Sequence, residues 1–236
     1  MDLAAVASFF ARHPGVRVHA LGHAGNRTGV DLNPLGVSAE YLDAASSADW
    51  IADYASANAE CFSGPLSLPG WVLVDLYLLP GVITLVSAPG EMLGLERRRA
   101  IWAAYCCVPT VIAGTVMGVS LLSRKPGLGA GFVAKSLGLA MHRAQIQRGI
   151  TQWNNPALRV HTRFGPLRIV GPAPAQHGLS AESFVYEVAL HQTPSIRTTT
   201  TVTAQEGPAL AARAAAGEII FLQAFNNVNA LSVGFP

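Results

Sequence analysis

Apolar and polar positions follow two different periods along this chain, and the change from one to the other outlines its organisation. Residues 2–12 read as an amphipathic helix. Residues 37–60 carry a second helical pattern, anchored by Tyr41, Leu42, Trp50, Ile51 and Tyr54, with Ser and Asp available as caps. Between them Gly22 to Pro34, rich in Gly and Asn, reads as an irregular loop. The centre switches to short apolar runs. Trp71 to Leu79 and Val82 to Val86 predict two strands about a Pro80-Gly81 turn, with Asp75 inside the first. Ile101 to Cys107 and Thr115 to Leu122 continue as strands, and Lys125-Pro-Gly-Leu-Gly-Ala-Gly131 is a glycine-rich loop. A helix from Phe132 to about Arg148 is expected next, ended by Gly149. Leu158–Phe164 and Leu167–Val170 predict a hairpin about Gly165-Pro166. Further strands follow at Phe184–Leu190, Thr198–Thr203 and Ile219–Ala224, with a short alanine-rich helix at Gly207–Gly217.

Helices at the start and meandering strands after them predict a single α+β domain over residues 1–236, helical over 1–62 and β-rich over 63–236. The expected sheet is mostly antiparallel, or a closed β structure, around an apolar cavity. At 236 residues, half of them apolar, the chain can bury a generous core. Ala100 to Leu122 contains no charged residue and is long enough to span a bilayer. Pro109, Gly114, Gly118 and the β-branched residues favour two strands instead, so membrane insertion is not expected.

Charge changes the picture. From Arg97 to Ala181 there are eleven Lys or Arg and no Asp or Glu. Residues 1–96 hold three Arg against ten acids, and residues 182–236 two Arg against four, so the net +2 is −7, +11 and −2 in succession. Either the N-terminal acids neutralise the block in the fold, or an anion site lies within it. Only two lysines occur, Lys125 and Lys135, which disfavours a nucleic-acid partner. Cys61, Cys106 and Cys107 make neither a disulfide framework nor a spaced metal site, so buried thiols in a reducing cytoplasm are expected. The amino terminus has an acid where a signal peptide needs a cation.

Three features carry candidate chemistry. Strand alternation over 158–164 would place Arg159, His161 and Arg163 on one face, roughly 7 Å apart, as a clamp for a carboxylate or phosphate with His161 moving a proton. The preceding Thr151-Gln-Trp-Asn-Asn-Pro156 supplies Trp153 and Asn155, which either line the same pocket or shape a turn. Lys135, with apolar neighbours on most sides, is a candidate for a depressed pKa and imine formation, and Asp75 is the acid embedded in an apolar strand. Gly129-Ala-Gly131-Phe-Val-Ala134 matches a Gly-x-Gly-x-x-Ala phosphate turn. No acid follows before Glu182 to hold a ribose, although Arg143 and Arg148 suit a 2′-phosphate. No Gly-x-Ser-x-Gly, His-Glu-x-x-His, Cys-x-x-Cys or Walker loop is present, and neither a metal nor a resident cofactor is expected.

From Tyr105 to Met141 the order of elements resembles the acetoacetate decarboxylase-like superfamily: a Val108-Pro109 turn, a strand, the Gly127-Leu-Gly-Ala-Gly131 loop, then a Lys-containing apolar stretch. The resemblance implies an α+β fold with cone-like β structure around an apolar cavity holding a Schiff-base lysine, an acid and an arginine. The expected function is therefore a lyase, decarboxylase-like or performing a related aldol, dehydratase or isomerase step. It would bind a small-molecule keto acid through Arg159, Arg163, Trp153 and Asn155, with Lys135, His161 and Asp75 as catalytic groups. The alternatives are a non-catalytic anion-binding or assembly protein, a homo-oligomer among them, an NADP-binding protein, or a membrane-associated one using residues 71–122.

Overall fold

A computed structural model describes residues 3–21, 39–41, 44–62, 82–174 and 182–236. The chain divides into two compact units, Met1–Arg143 and Ala144–Pro236. Both are α+β. The expected strand over 71–79 with Asp75, and the expected loop over 22–34, lie outside the described residues.

The first unit contains α1 (Leu3–Arg12), β1 (Arg17–Leu21), β2 (Ala39–Tyr41), α2 (Ala44–Cys61), β3 (Val82–Pro89), the short α3 (Gly90–Leu93), β4 (Arg99–Pro109), β5 (Thr115–Ser123) and α4 (Ala130–Met141). Its strands lie in the order β2-β1-β3-β4-β5. β1 pairs parallel with β2 and antiparallel with β3, and the β3-β4 and β4-β5 pairs are antiparallel, so the sheet is mixed. Strand β4 explains the long uncharged run. Ile101, Ala104 and Cys106 pack with Tyr54 and Ala57 of α2, and the alternate Tyr105 lies under Gly138 of α4. A strand covered on both faces must be apolar throughout. Residues 100–122 are therefore the buried strand β4, an exposed turn and the partly exposed strand β5. Among the described residues no helix is long and apolar enough to cross a membrane.

The second unit contains β6 (Ile146–Gln152), α5 (Leu158–His161), β7 (Leu167–Pro172), β8 (Ser183–Ala189), β9 (Thr198–Val202), α6 (Gly207–Ala215), β10 (Phe221–Asn227) and β11 (Ala230–Phe235). Its order is β6-β8-β7-β10-β11-β9, antiparallel throughout. Trp153, Leu158, Phe184, Tyr186, Leu210 and Leu222 fill its core. Among the described residues no pairing closes either strand order on itself, so the closed β structure is not found.

Three sequence expectations fail for physical reasons. The helical pattern over 37–60 begins only at Ala44, because Ala39–Tyr41 pairs with β1 as strand β2. The helix expected to reach Arg148 ends at Met141, and Arg143 takes a left-handed backbone, φ 48°. Gly149 does not end a helix. It lies mid-strand in β6, where the Tyr186 hydroxyl would sit 2.5 Å from any added Cβ. The predicted strand 158–164 is helical: Leu158–His161 forms an α turn and Thr162–Phe164 a 3-10 turn. Asn155 Oδ1 accepts the Ala157 N–H at 2.9 Å, and Pro156 supplies a φ already suited to a first helical turn.

Candidate functional site

The glycine-rich segment is the most specific local geometry in the first unit. Strand β5 ends at Ser123, Arg124–Gly129 turns, and α4 begins at Ala130. The stem of the turn is held from three sides. Arg124 N–H donates to Trp102 O at 2.9 Å, Trp102 Nε1 and Ser123 Oγ both donate to Lys125 O at 3.3 and 3.2 Å, and Lys125 Nζ donates to Met92 O in α3. Pro126, Gly127 and Leu128 at its tip are exposed.

Gly127 and Gly129 both have left-handed backbones, φ 89° and 95°. An added Cβ at Gly127 would meet nothing within 4 Å, so the requirement there is one of conformation and not of space. Gly129 is the N-cap of α4. No side chain caps this end, and no acid occupies the first turn. The leading N–H groups of such a helix lack intrahelical acceptors, and its dipole places positive potential there. A glycine-rich strand-to-helix turn whose helix no side chain caps suits a phosphate or pyrophosphate.

The electrostatics around the stem answer the question raised by the charge blocks. Asp53, buried on α2, accepts from Arg97, from Arg124 and from the Ile101 N–H at 2.7 Å. Arg124 also donates to Glu60 at 2.7 and 3.0 Å and to Ile101 O at 2.8 Å. Its hydrogen bonds hold the Glu60 carboxyl below the ordinary range. N-terminal acids thus neutralise two of the block's arginines, and Arg124 is a structural cation under the loop. One signal could have located this pairing in the sequence: Asp53 and Glu60 lie seven residues apart, two helical turns on one face.

The residues expected to form a site are distributed differently. Lys135 is fully buried on α4, and desolvation lowers its pKa well below the ordinary lysine value. Burial likewise pushes the Cys106 thiol up to about 12 and Cys107 higher still, while Cys61 is half-buried. Because the folded chain holds the Lys135 proton poorly, protonation favours unfolding at any pH between its folded pKa and the unfolded value of about 10.4. The stability this residue withholds at neutral pH returns as pH rises through that window. Lys135→Met removes the slope. Its gain over the parent is expected to be largest at pH 7 and smallest near pH 10, measured as the difference in urea midpoint at the two values; an equal difference at both would refute the assignment.

Arg159, His161 and Arg163 belong to the second unit and share no strand face. A step of two residues around a helical turn directs His161 away from the side that Arg159 and Arg163, four residues apart, occupy. Arg159 donates to Asn226 O and lies 5.8 Å from the Phe225 ring centroid. His161 is buried against Tyr186, their rings 5.2 Å apart, whereas Arg163 is exposed. Trp153 is buried and stacked on Phe184 at 3.9 Å. Asn155 shapes the turn, as described. Asp75 lies outside the described residues. Among the described residues no group of His, Cys, Asp or Glu could hold a metal ion.

No family model and no curated relative matches this chain. Solved structures similar to it are acetyltransferases. One is aminoglycoside 6′-acetyltransferase type Ii, 9% identical over 65% of this chain and 97% of that one, TM-score 0.46. Another is yncA from Salmonella typhimurium, described as an acetyltransferase and solved with its cofactor acetyl-CoA: 15% identical, covering 66% and 95% of the two chains, TM-score 0.43. A third is nourseothricin acetyltransferase, 12% identical over 47% and 65%, TM-score 0.36. These neighbours overturn the acetoacetate decarboxylase resemblance and, with it, the lyase assignment and its keto-acid chemistry.

Proposed function

We propose that this chain is a group-transfer enzyme that anchors the pyrophosphate of a coenzyme A-type acyl donor on residues 124–130. The observation that carries the proposal is the strand-to-helix turn with two left-handed glycines opening onto an uncapped helix. The acetyltransferase likenesses suggest which donor to test, and the proposal stands on the loop. The preceding strand β5 pairs antiparallel with β4, unlike the parallel βαβ start of a dinucleotide fold. In the β4-β5 pair, Cys106 faces Ser120 while Cys107 faces Gly118. Val119 is therefore the extra residue of a bulge, a feature that frees backbone groups and is common beside functional sites.

The residues fit such a cofactor. The backbone N–H groups at the start of α4 would hold the diphosphate, the glycines would let it approach, and Arg124, already paired, would hold the loop in place. When bound, the cofactor would supply an activated thioester carbonyl. Gly129→Val would force a β-branched residue into the left-handed region, a conformation costing about 1–3 kcal/mol. Isothermal titration of coenzyme A should show binding to the parent and a loss of at least roughly tenfold in Gly129→Val, with NADP giving no heat in either. Thiol release from acetyl-CoA with a panel of amines then tests transfer. Absence of coenzyme A binding by the folded parent would remove the proposal.

A further inference from the structure

Three arginines collect where β1 and β4 begin. Arg17 opens β1 opposite Ser87, and Arg99 opens β4 opposite Pro89. Arg99 is fixed over this seam: it donates to the carbonyl and the hydroxyl of Ser87, each at 3.1 Å, and to Gly15 O at 2.7 Å. Arg17 and Arg98 are exposed. Burial first, then the neighbouring charges of Arg17 and Arg98, lower the pKa of the Arg99 guanidinium, so two like charges bear on Arg99 here.

None of the ion pairs among the described residues includes any of the three. Asp53 takes Arg97 and Arg124, and Glu60 takes Arg124. Glu91 and Glu96, the acids nearest in sequence, are exposed and join no ion pair among the described residues. Like charges held together without a carboxylate are unfavourable unless an anion joins them.

The cluster lies at the end of the sheet where the glycine loop departs. Ala103 of β4 faces Ser123 of β5, so β5 leaves into Arg124–Gly129 at the end where β4 enters with Arg99. Helix α1 links the two features. Phe9 lies 3.5 Å from where a Gly129 Cβ would be, Phe9 and His13 pack on Trp102, and the Gly15 carbonyl just beyond receives Arg99.

We propose that Arg17, Arg98 and Arg99 form a second anion subsite that receives the 3′-phosphate of the donor whose pyrophosphate rests on residues 124–130. The inference rests on the coenzyme A reading above. A phosphomonoester brings close to two negative charges and three acceptor oxygens, a match for clustered guanidiniums. Coenzyme A and 3′-dephospho-coenzyme A differ only in that group, so their affinity ratio isolates the subsite.

Titration calorimetry on the parent and on the Arg17→Gln/Arg98→Gln double variant reads this ratio. Both side chains are exposed, and an unchanged melting midpoint checks that the variant is folded. The parent should bind coenzyme A roughly tenfold or more tightly than the dephospho form, at low salt. In the variant the ratio should fall to near one while dephospho-coenzyme A affinity stays put. Equal binding of both ligands by the parent, or a ratio that survives in the variant, overturns the subsite and leaves the loop assignment standing. Failure of the parent to bind either ligand overturns both.

Discussion

Asp53→Ala is expected to destabilise the chain by about 3–5 kcal/mol, because it leaves a buried guanidinium without its buried partner. The Arg124 side chain is only 5% exposed and that of Asp53 6%, whereas Glu60, the other acid on Arg124, is 46% exposed. Removing Asp53 also strips the acceptor from the Ile101 N–H at the centre of the sheet. Glu60→Ala should cost under about 1 kcal/mol, since its pairing is screened by solvent. Urea unfolding of both variants makes the comparison. Equal losses would mean that burial does not set the strength of this network. A second readout follows from its position: Arg124 begins the glycine turn, so Asp53→Ala should weaken coenzyme A binding and Glu60→Ala should leave it nearly intact.

Trp153→Ala should cost about 3–5 kcal/mol, the range for emptying a large aromatic from a core. The indole is 1% exposed and stacks on Phe184, and Gly207, the first residue of α6, lies so close to it that an added Cβ would fall 2.2 Å from the ring. Helix α6 can dock there because residue 207 has no side chain. The sequence had suggested this tryptophan as a substrate contact; the packing makes it a wall of the second unit's core. Thermal unfolding with near-ultraviolet circular dichroism tests it. A variant that kept its midpoint while losing a ligand would return the indole to a pocket.

Much of the backbone was legible in the sequence wherever burial imposed a simple period. β4 and β5 declare themselves as apolar runs broken by Pro109 and Gly114, and the observed strands extend the expected ones by only a few residues. β7, β8 and α6 were also visible, through alternation and alanine content. β1, β2, β6 and β11 are not: β2 falls inside the helix expected over 37–60, and Ile146–Gln152 is absorbed into the helix expected before it, because its polar Gln147 and Thr151 point into the core and mask the alternation. The supposed cationic strand failed for the converse reason. Alternation over seven residues does not separate a strand from two short helical turns, and Asn155-Pro156 decided for the turns.

The site divided along similar lines. The glycine turn could be seen, since left-handed backbone is written as glycine. Its supports could not, since hydrogen bonds from Trp102 and Lys125 to backbone carbonyls leave no mark in composition. Lys135 was singled out for its apolar neighbours, and it is fully buried. Burial alone gives a residue no reaction, and the keto-acid chemistry attached to it fell with the family resemblance.

The ion pair beneath the glycine turn also orders events in time. Arg124 reaches back 71 residues to the Asp53 backbone, and Asp53 reaches forward 48 to the Ile101 amide. On a ribosome adding about 5–20 residues per second, α2 is made roughly 4–14 s before the guanidinium that will be buried beside it. Until Arg97 is made Asp53 is an uncompensated carboxylate, and until Arg124 follows it lacks its buried partner; both favour water and hold the apolar face of α2 off the sheet. A residue made long after α2, at the exit of β5, is thus the part that licenses the first unit's second helix to dock.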